Sequence, residues 1–512
     1  MISMIWICKK LPIFAAALAT CLPALYASNA LAQDITFNQN NQPIINYDGD
    51  VNTVPSSIIQ GDINSDGYPD FVMNLYTDPA NLFEIKSTGN GNYAQTFVSI
   101  PAYCPAYPLA FGDFQRSGKN DLLVSTTSGS RCTGTYSNTF GDYLNNGSGN
   151  FQLYKQFPVT HNNADAIVTA DFNGDKKLDA VVLDGNLLEL YYGSGYGSFA
   201  GPYTIANLTG SAASLTSNYY NLIAGDFDGD GCTDVAWTEY EAVGQGYNSQ
   251  LRVAYGNCHG DFYVTTPYNV VGEIDNIHTA DLDRDGISEI VATLDASGQG
   301  VTDPQLQISY GQRARYFTTK YIHDASLSGP ITVADLNGDG YQDIAYMSAA
   351  GTTSQAVKIL EGDASQAFTK SSVDPVQTQA TILQLFSGDY NRDGKMDLAL
   401  FATGSGESSL MILTNTSQYP NGVCVPFATP GIQICQPGTT SGTTVHVLAD
   451  GTNTNPTVYM ELWVDGTKMV GYGSTNELRA TFTLAPGTHQ FDYFSADAAG
   501  DKNENEAYVT VK

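Results

Sequence analysis

Nine-residue segments that begin and end in an acid occur seven times along this 512-residue chain. They are Asp62–Asp70, Asp113–Asp121, Asp171–Asp179, Asp226–Asp234, Asp281–Glu289, Asp335–Asp343 and Asp389–Asp397, with starts 51, 58, 55, 55, 54 and 54 residues apart. Repetition on this scale builds a fold from copies of one supersecondary unit, so it constrains the architecture before any local reading does. The flanks repeat as well. Gly or Ala precedes every segment (Gly61, Gly112, Ala170, Gly225, Ala280, Ala334, Gly388), and Ile or Leu stands three residues earlier. Apolar runs such as Phe71-Val72-Met73, Ala180-Val181-Val182 and Leu398-Ala399-Leu400 follow. Short apolar runs bounded by turn residues read as strands, so each acidic segment joins two strands.

Later in each repeat a Gly-rich turn leads to an aromatic. It is clearest in Tyr192-Gly193-Ser194-Gly195-Tyr196-Gly197-Ser198-Phe199, with weaker copies ending at Tyr93, Phe151, Phe262, Phe317 and Phe368. A repeat of this length has room for four strands, the size of a propeller blade. The seventh copy lacks the aromatic strand, and Ile35-Thr36-Phe37 fits it with no acidic segment before it. The N-terminal strand is therefore expected to complete the last blade and remove the open edges of the ring. The expected fold is all-β: a seven-bladed β-propeller over residues 33–420, then a smaller β module.

The segments, written D-x-[DN]-x-D-G-x-x-D, together with the Gly-aromatic turns, resemble FG-GAP or VCBS-type repeats over roughly residues 34–418. That family includes the N-terminal propeller of integrin α chains and many exported bacterial proteins. The resemblance implies calcium in the loop between the first two strands of a blade. The residues support the same chemistry, because calcium takes six to eight oxygen ligands and needs a Gly at the sharp turn. Side chains at loop positions 1, 3, 5 and 9 and the carbonyl at position 7 form the expected set. In the first repeat these are Asp62, Asn64, Asp66, Tyr68 and Asp70; in the third, Asp171, Asn173, Asp175, Lys177 and Asp179. The fourth offers Asp226, Asp228, Asp230, Cys232 and Asp234, and the fifth Asp281, Asp283, Asp285, Ile287 and Glu289. The sixth offers Asp335, Asn337, Asp339, Tyr341 and Asp343, and the seventh Asp389, Asn391, Asp393, Lys395 and Asp397. The second copy has Gln115 and Ser117 at positions 3 and 5 and is expected to bind weakly or not at all. Lys176 replaces the position-6 Gly of the third. An EF-hand would need Glu at position 12, where Met73, Trp237 and Leu400 stand in the first, fourth and seventh copies. The alternative is a set of Asx turns without metal.

Residues 1–32 read as a secretory signal: Lys9 and Lys10, an apolar stretch from Leu11 to Leu25, then Ala30-Leu31-Ala32. Export predicts disulfides among the six remaining cysteines, with neighbours pairing: Cys104 with Cys132, Cys232 with Cys258, Cys424 with Cys435. The mature chain is expected to be secreted or surface-held, without a transmembrane span. Its formal net charge of -30 disfavours nucleic acid as a partner.

Residues 421–437 read as a disulfide-stapled linker. Residues 438–512 carry alternating runs and the hairpin signal Asp465-Gly466, and they resemble a bacterial Ig-like β-sandwich. No G-x-S-x-G or H-E-x-x-H motif occurs, and His278 stands alone at an apolar strand position. The favoured function is a binding, adhesion or scaffolding module for an extracellular protein or glycan rather than an enzyme. Tyr103–Tyr107 and Tyr219-Tyr220 are candidate contact residues. The alternative is a glycan-active lyase or hydrolase on a propeller scaffold.

Overall fold

The computed structural model describes residues 35–38, 44–46, 55–75, 82–89, 91–98, 106–126, 138–161, 164–208, 221–243, 246–270, 272–283, 285–295, 304–339, 341–349, 355–363, 365–370, 376–378, 380–404, 407–417, 431–434, 444–450, 457–472, 477–497 and 502–511. Every regular element among them is a β-strand. No helix among the described residues is long and apolar enough to cross a membrane. The expected signal segment, Tyr103, Tyr219, Tyr220 and the pairs Cys104–Cys132 and Cys424–Cys435 lie outside the described residues.

Each acidic segment joins two antiparallel strands, always in one register. Gly61 pairs with Asp70, Gly112 with Asp121, Ala170 with Asp179 and Gly225 with Asp234. Ala280 pairs with Glu289, Ala334 with Asp343 and Gly388 with Asp397. The nine residues thus close a loop whose last side chain starts the second strand. In the third repeat the sheet runs Ala166–Ala170, Asp179–Asp184, Leu187–Gly193 and Phe199–Asn207, in sequence order. Seven sheets of four or five strands, one per repeat, occupy this region among the described residues.

The second strands are apolar without alternation because both faces are covered. Successive side chains point to opposite faces. Ala180 and Val182 accordingly join a core shared with the second sheet, while Val181 and Leu183 join one shared with the fourth. The same holds round the series. Each apolar cluster spans two consecutive sheets, and one joins Tyr390, Phe401 and Ile412 of the seventh sheet to Phe71 and Ile85 of the first. Fourth strands carry the solvated edge, as in Tyr316–His323, where exposed and half-buried residues mix.

The last sheet is completed from the N-terminal side. Phe37 pairs with Asn415 and Asn38 with Thr414. The Thr36 amide donates to Ser417 Oγ at 2.9 Å, and the Thr416 amide donates to the Thr36 carbonyl at 2.8 Å. Ile44–Asn46 pairs farther along the same strand, Glu407–Asn415.

Beyond the repeats, Gly431–Ile434, Thr444–Asp450 and Glu477–Thr483 form one sheet. Thr467–Tyr472, Thr457–Val464, Gly487–Asp497 and Lys502–Val511 form another. One core holds both, built from residues such as Val447, Leu462, Phe491 and Val509. Asp465 and Gly466 turn the expected hairpin with φ of 50° and 72°. The stretch 421–437, read as linker, contributes the strand Gly431–Ile434 to this core through Ile432. Its Pro and Cys neighbours mask a strand of only four residues.

Candidate functional site

The acidic loops are wound by their own side chains. At position 1 one carboxylate oxygen accepts from the position-5 amide and the other from the position-6 amide. In the fourth repeat Asp226 Oδ1 accepts from Asp230 N at 3.2 Å and Oδ2 from Gly231 N at 2.9 Å. Position 3 accepts from position 5, as Asn173 does from Asp175 N at 2.8 Å. Position 5 accepts from position 7, as Asp230 does from Cys232 N at 2.8 Å. This is a chain of Asx turns. Position 6 takes left-handed φ, from 81° at Gly67 to 85° at Gly231, which glycine adopts without a Cβ clash. Lys176 adopts 65° there and carries the strain expected of a side chain.

The winding turns the side-chain oxygens of positions 1, 3 and 5 inward. One oxygen each from Asp226, Asp228 and Asp230 lies within 4.8 Å of the others, and so do Asp281, Asp283 and Asp285. An all-oxygen, carboxylate-rich donor set suits a hard divalent cation. An oxygen has two lone pairs, so those that accept a single amide, such as Asp226 Oδ2 from Gly231 N and Asp230 Oδ1 from Cys232 N, keep capacity for an ion. The first, third, sixth and seventh loops repeat the winding with Asn at position 3, whose Oδ1 takes the same amide: Asn64, Asn173, Asn337 and Asn391. Position 7, whose carbonyl was expected as a ligand, also donates its amide to position 5 at Tyr68, Lys177, Ile287, Tyr341 and Lys395.

Position 9 is also a strand tie. Asp70, Asp179, Asp234, Asp343 and Asp397 are fully buried. Each accepts from the position-2 amide of its own loop and from an amide at the end of the third strand. Asp234 takes Phe227 N and Gly256 N, both at 2.8 Å; Asp179 takes Phe172 N at 3.1 Å and Gly193 N at 2.7 Å. It ties three strands together beneath the loop. Burial, then the neighbouring loop acids, push Asp70 and Asp179 up to about 7 and Asp234 and Asp397 up to about 8. Asp343 is raised well above the ordinary carboxylate range for the same reasons. Position 2 is the anchor that sequence reasoning missed. Ile63, Phe114, Phe172, Phe227, Leu282, Leu336 and Tyr390 are all buried in the seam with the next sheet. The signal was there, since every copy carries a large apolar residue at that place.

Two copies depart from this plan. In the second, Gln115 Nε2 donates to Asp121 at 3.3 Å, and one Asp121 oxygen is buried without a hydrogen-bond partner. With Gln115 and Ser117 at positions 3 and 5, this loop has only Asp113 and Asp121 as carboxylates. In the fifth, Glu289 Oε2 accepts from Leu282 N at 2.6 Å while Oε1 is buried without a partner, and burial pushes the group up to about 9. The longer side chain replaces only half of the usual tie.

One expected disulfide lies within the described residues: Cys232 at position 7 is bonded to Cys258 in the turn after the third strand, Cα to Cα 5.0 Å. His278 is held by a contact of Nδ1 with the Thr279 carbonyl at 3.4 Å, and burial lowers its pKa. Its recorded partner is a backbone group, which is a structural role. Exposed aromatics gather elsewhere. Tyr154, Tyr203, Tyr263, Tyr316 and Tyr321 lie on fourth strands, and Tyr196, 78% exposed, lies in the turn leading to one.

The family of FG-GAP-like repeats matches residues 171–237, from the third acidic loop through the fourth, and 335–400, from the sixth through the seventh, so the chain carries FG-GAP-like repeats. No curated protein matches the chain significantly. Among solved structures, an Agrocybe aegerita lectin described for recognition of non-reducing terminal N-acetylglucosamine is 16% identical. That match covers 62% of this chain and 79% of the lectin, with a TM-score of 0.42. The Tc holotoxin pore of Photorhabdus luminescens is 13% identical over 86% of this chain and 21% of that one, with a TM-score of 0.33. The chain spans about a fifth of the holotoxin chain's length.

Proposed function

We propose that this FG-GAP-repeat β-propeller is an exported, seven-bladed, calcium-braced module that binds an extracellular glycan or protein. The observation that carries the reading is the convergence of Asp226, Asp228 and Asp230, and of Asp281, Asp283 and Asp285, each set within 4.8 Å. Grouped carboxylates over a buried acid repel one another, and a divalent cation removes that cost. In each fitting loop the ion is held by the side chains of positions 1, 3 and 5, with the position-7 carbonyl and position 9 completing the set. The ion supplies charge neutralisation and a fixed strand-to-strand turn. Its work is structural.

Binding falls to the aromatic rim. Tyr203 lies beside Tyr192 with ring centroids 5.1 Å apart, and Tyr196 and Tyr154 project from neighbouring sheets. Exposed tyrosines offer a flat apolar face and a hydroxyl at low entropic cost, which suits stacking on sugars or gripping a protein loop. The two-sheet C-terminal unit is an Ig-like sandwich that extends or anchors the module.

Thermal and urea unfolding of the mature chain in calcium and in excess chelator tests the metal half. With a dissociation constant on the order of 10⁻⁴ M and about 1 mM calcium, each filled loop adds about 1.4 kcal/mol. An unfolding midpoint indifferent to calcium, with no metal in the purified chain, refutes it. A glycan and protein screen in calcium buffer tests the rim. Ligands found there should lose affinity with Tyr196→Ala or Tyr203→Ala, and ligands indifferent to both substitutions place binding on another surface.

A further inference from the structure

The fourth loop carries four carboxylates, as many as the fifth, yet a side chain from the next repeat sits on it. Arg315 Nε donates to Asp228 Oδ2 at 2.7 Å, and its Nη2 lies 3.6 Å from Asp230 Oδ2. These are two of the three acids that converge at that loop. The guanidinium also lies over Tyr255 and Tyr263, 5.2 and 5.8 Å from their ring centroids. The Tyr268 hydroxyl donates to the Arg315 carbonyl at 3.2 Å. Charge, aromatic faces and backbone all hold the residue at this place.

Arg315 also occupies a costly backbone position. It is the fourth residue after Gly311, in the turn between third and fourth strands. The same place in other repeats is Gly91, Gly149, Gly197 and Gly260, all at left-handed φ. Arg315 adopts 60° there and Gln366, its counterpart in the sixth repeat, 58°. Where Gly197 and Gly260 stand, the turn reaches the preceding loop through its amide, to the Phe114 and Phe172 carbonyls. Arg315 and Gln366 reach it with side chains. Gln366 Nε2 donates to Asp283 Oδ2 at 2.6 Å, the position-3 acid of the fifth loop. A neutral amide touches one acid in the fifth loop; a full positive charge bridges two in the fourth.

We propose that Arg315 is a tethered counter-ion of the fourth loop that competes with calcium for Asp228 and Asp230. The fourth loop is then less dependent on calcium than the fifth, which has as many carboxylates. Its charge is already compensated across the sheet boundary, and an entering ion must first displace the guanidinium. This rests on the calcium reading of the loops above.

The test compares the wild-type chain with R315G, which restores the glycine of the other repeats, and with Q366R, which installs a guanidinium over the fifth loop. Bound calcium is counted by equilibrium dialysis and metal analysis, and unfolding midpoints are measured in calcium and in chelator. R315G should bind one further calcium per chain, or bind one ion about tenfold more tightly. It should be less stable than wild type in chelator and at least as stable in calcium. Q366R should lose calcium affinity at one site. A drop in R315G stability of equal size in both buffers, with unchanged calcium binding, reduces Arg315 to a structural residue and overturns the proposal. If neither wild type nor R315G binds calcium, the calcium reading and this proposal fall together. If wild type binds and R315G binds identically, only this proposal falls.

Discussion

Replacing Glu289 by Asp should stabilise the calcium-free protein. Five other repeats place Asp at the ninth loop position with both oxygens bonded to backbone amides, as Asp234 is to Phe227 N and Gly256 N. Glu289 keeps only the bond from Leu282 N, and its second oxygen is buried and partnerless. A shorter carboxylate recovers the second tie, for which Gly311 holds the place of Gly256 in register. A buried unsatisfied oxygen costs about 1–3 kcal/mol, and the new hydrogen bond contributes about 1 kcal/mol. The lost methylene costs about 1 kcal/mol. The net gain is therefore about 1–3 kcal/mol. Urea unfolding of E289D and wild type in excess chelator at pH 8 reads it directly. By that pH wild type already bears most of the cost of keeping Glu289 protonated, a cost that grows as pH rises from the unfolded value towards about 9. An unchanged or lower stability for E289D would show that the tie seen elsewhere is not what the fifth repeat lacks.

Three further outcomes follow from the same geometry. Phe172→Ala, at a fully buried anchor between the third and fourth sheets, should cost about 3–5 kcal/mol in denaturant unfolding, whereas Tyr196→Ala on the exposed turn should cost under about 0.5 kcal/mol. Cys232→Ser with Cys258→Ser should cost about 2–4 kcal/mol, and a reducing agent should reproduce the loss in wild type. In chelator, stability should fall as pH rises from about 4 to 8. Asp234 and Asp397 have folded pKa values raised to about 8, so their contribution is complete below the unfolded value and is lost as pH passes the folded one. Calcium should flatten or invert that slope, and melting curves across this range in both buffers check it.

The periodic part of this molecule was legible because identical physical demands recur in it. The Gly or Ala before each acidic loop faces the ninth residue across the first rung of the ladder, and a fixed rung needs a fixed spacing. The strand at Phe37 was legible for a complementary reason: one repeat lacked an aromatic strand, and the unassigned segment had it. The buried tie made by Asp70 or Asp234 was hidden, since a buried tie and a metal ligand ask for the same residue type. Arg315 was hidden more deeply. Its partner Asp228 lies 87 residues away in the loop of the preceding repeat, and nothing around it in the chain marks an arginine at left-handed φ as a charge partner. Gly431–Ile434 escaped because four residues among prolines and cysteines show no readable alternation.

The clasp between residues 36–38 and 414–417 has a mechanical meaning. The two segments run antiparallel, so the chain before residue 36 and the chain after residue 417 leave from the same end of the pair. Tension applied through those two points peels the bonds open one after another instead of shearing them together. A molecule held at one end and pulled at the other would give way first at this seam. The seven loop-bearing hairpins, whose strand ends are joined by short turns, lie off that line of force. The clasp is the weak link of a ring otherwise built to stay shut.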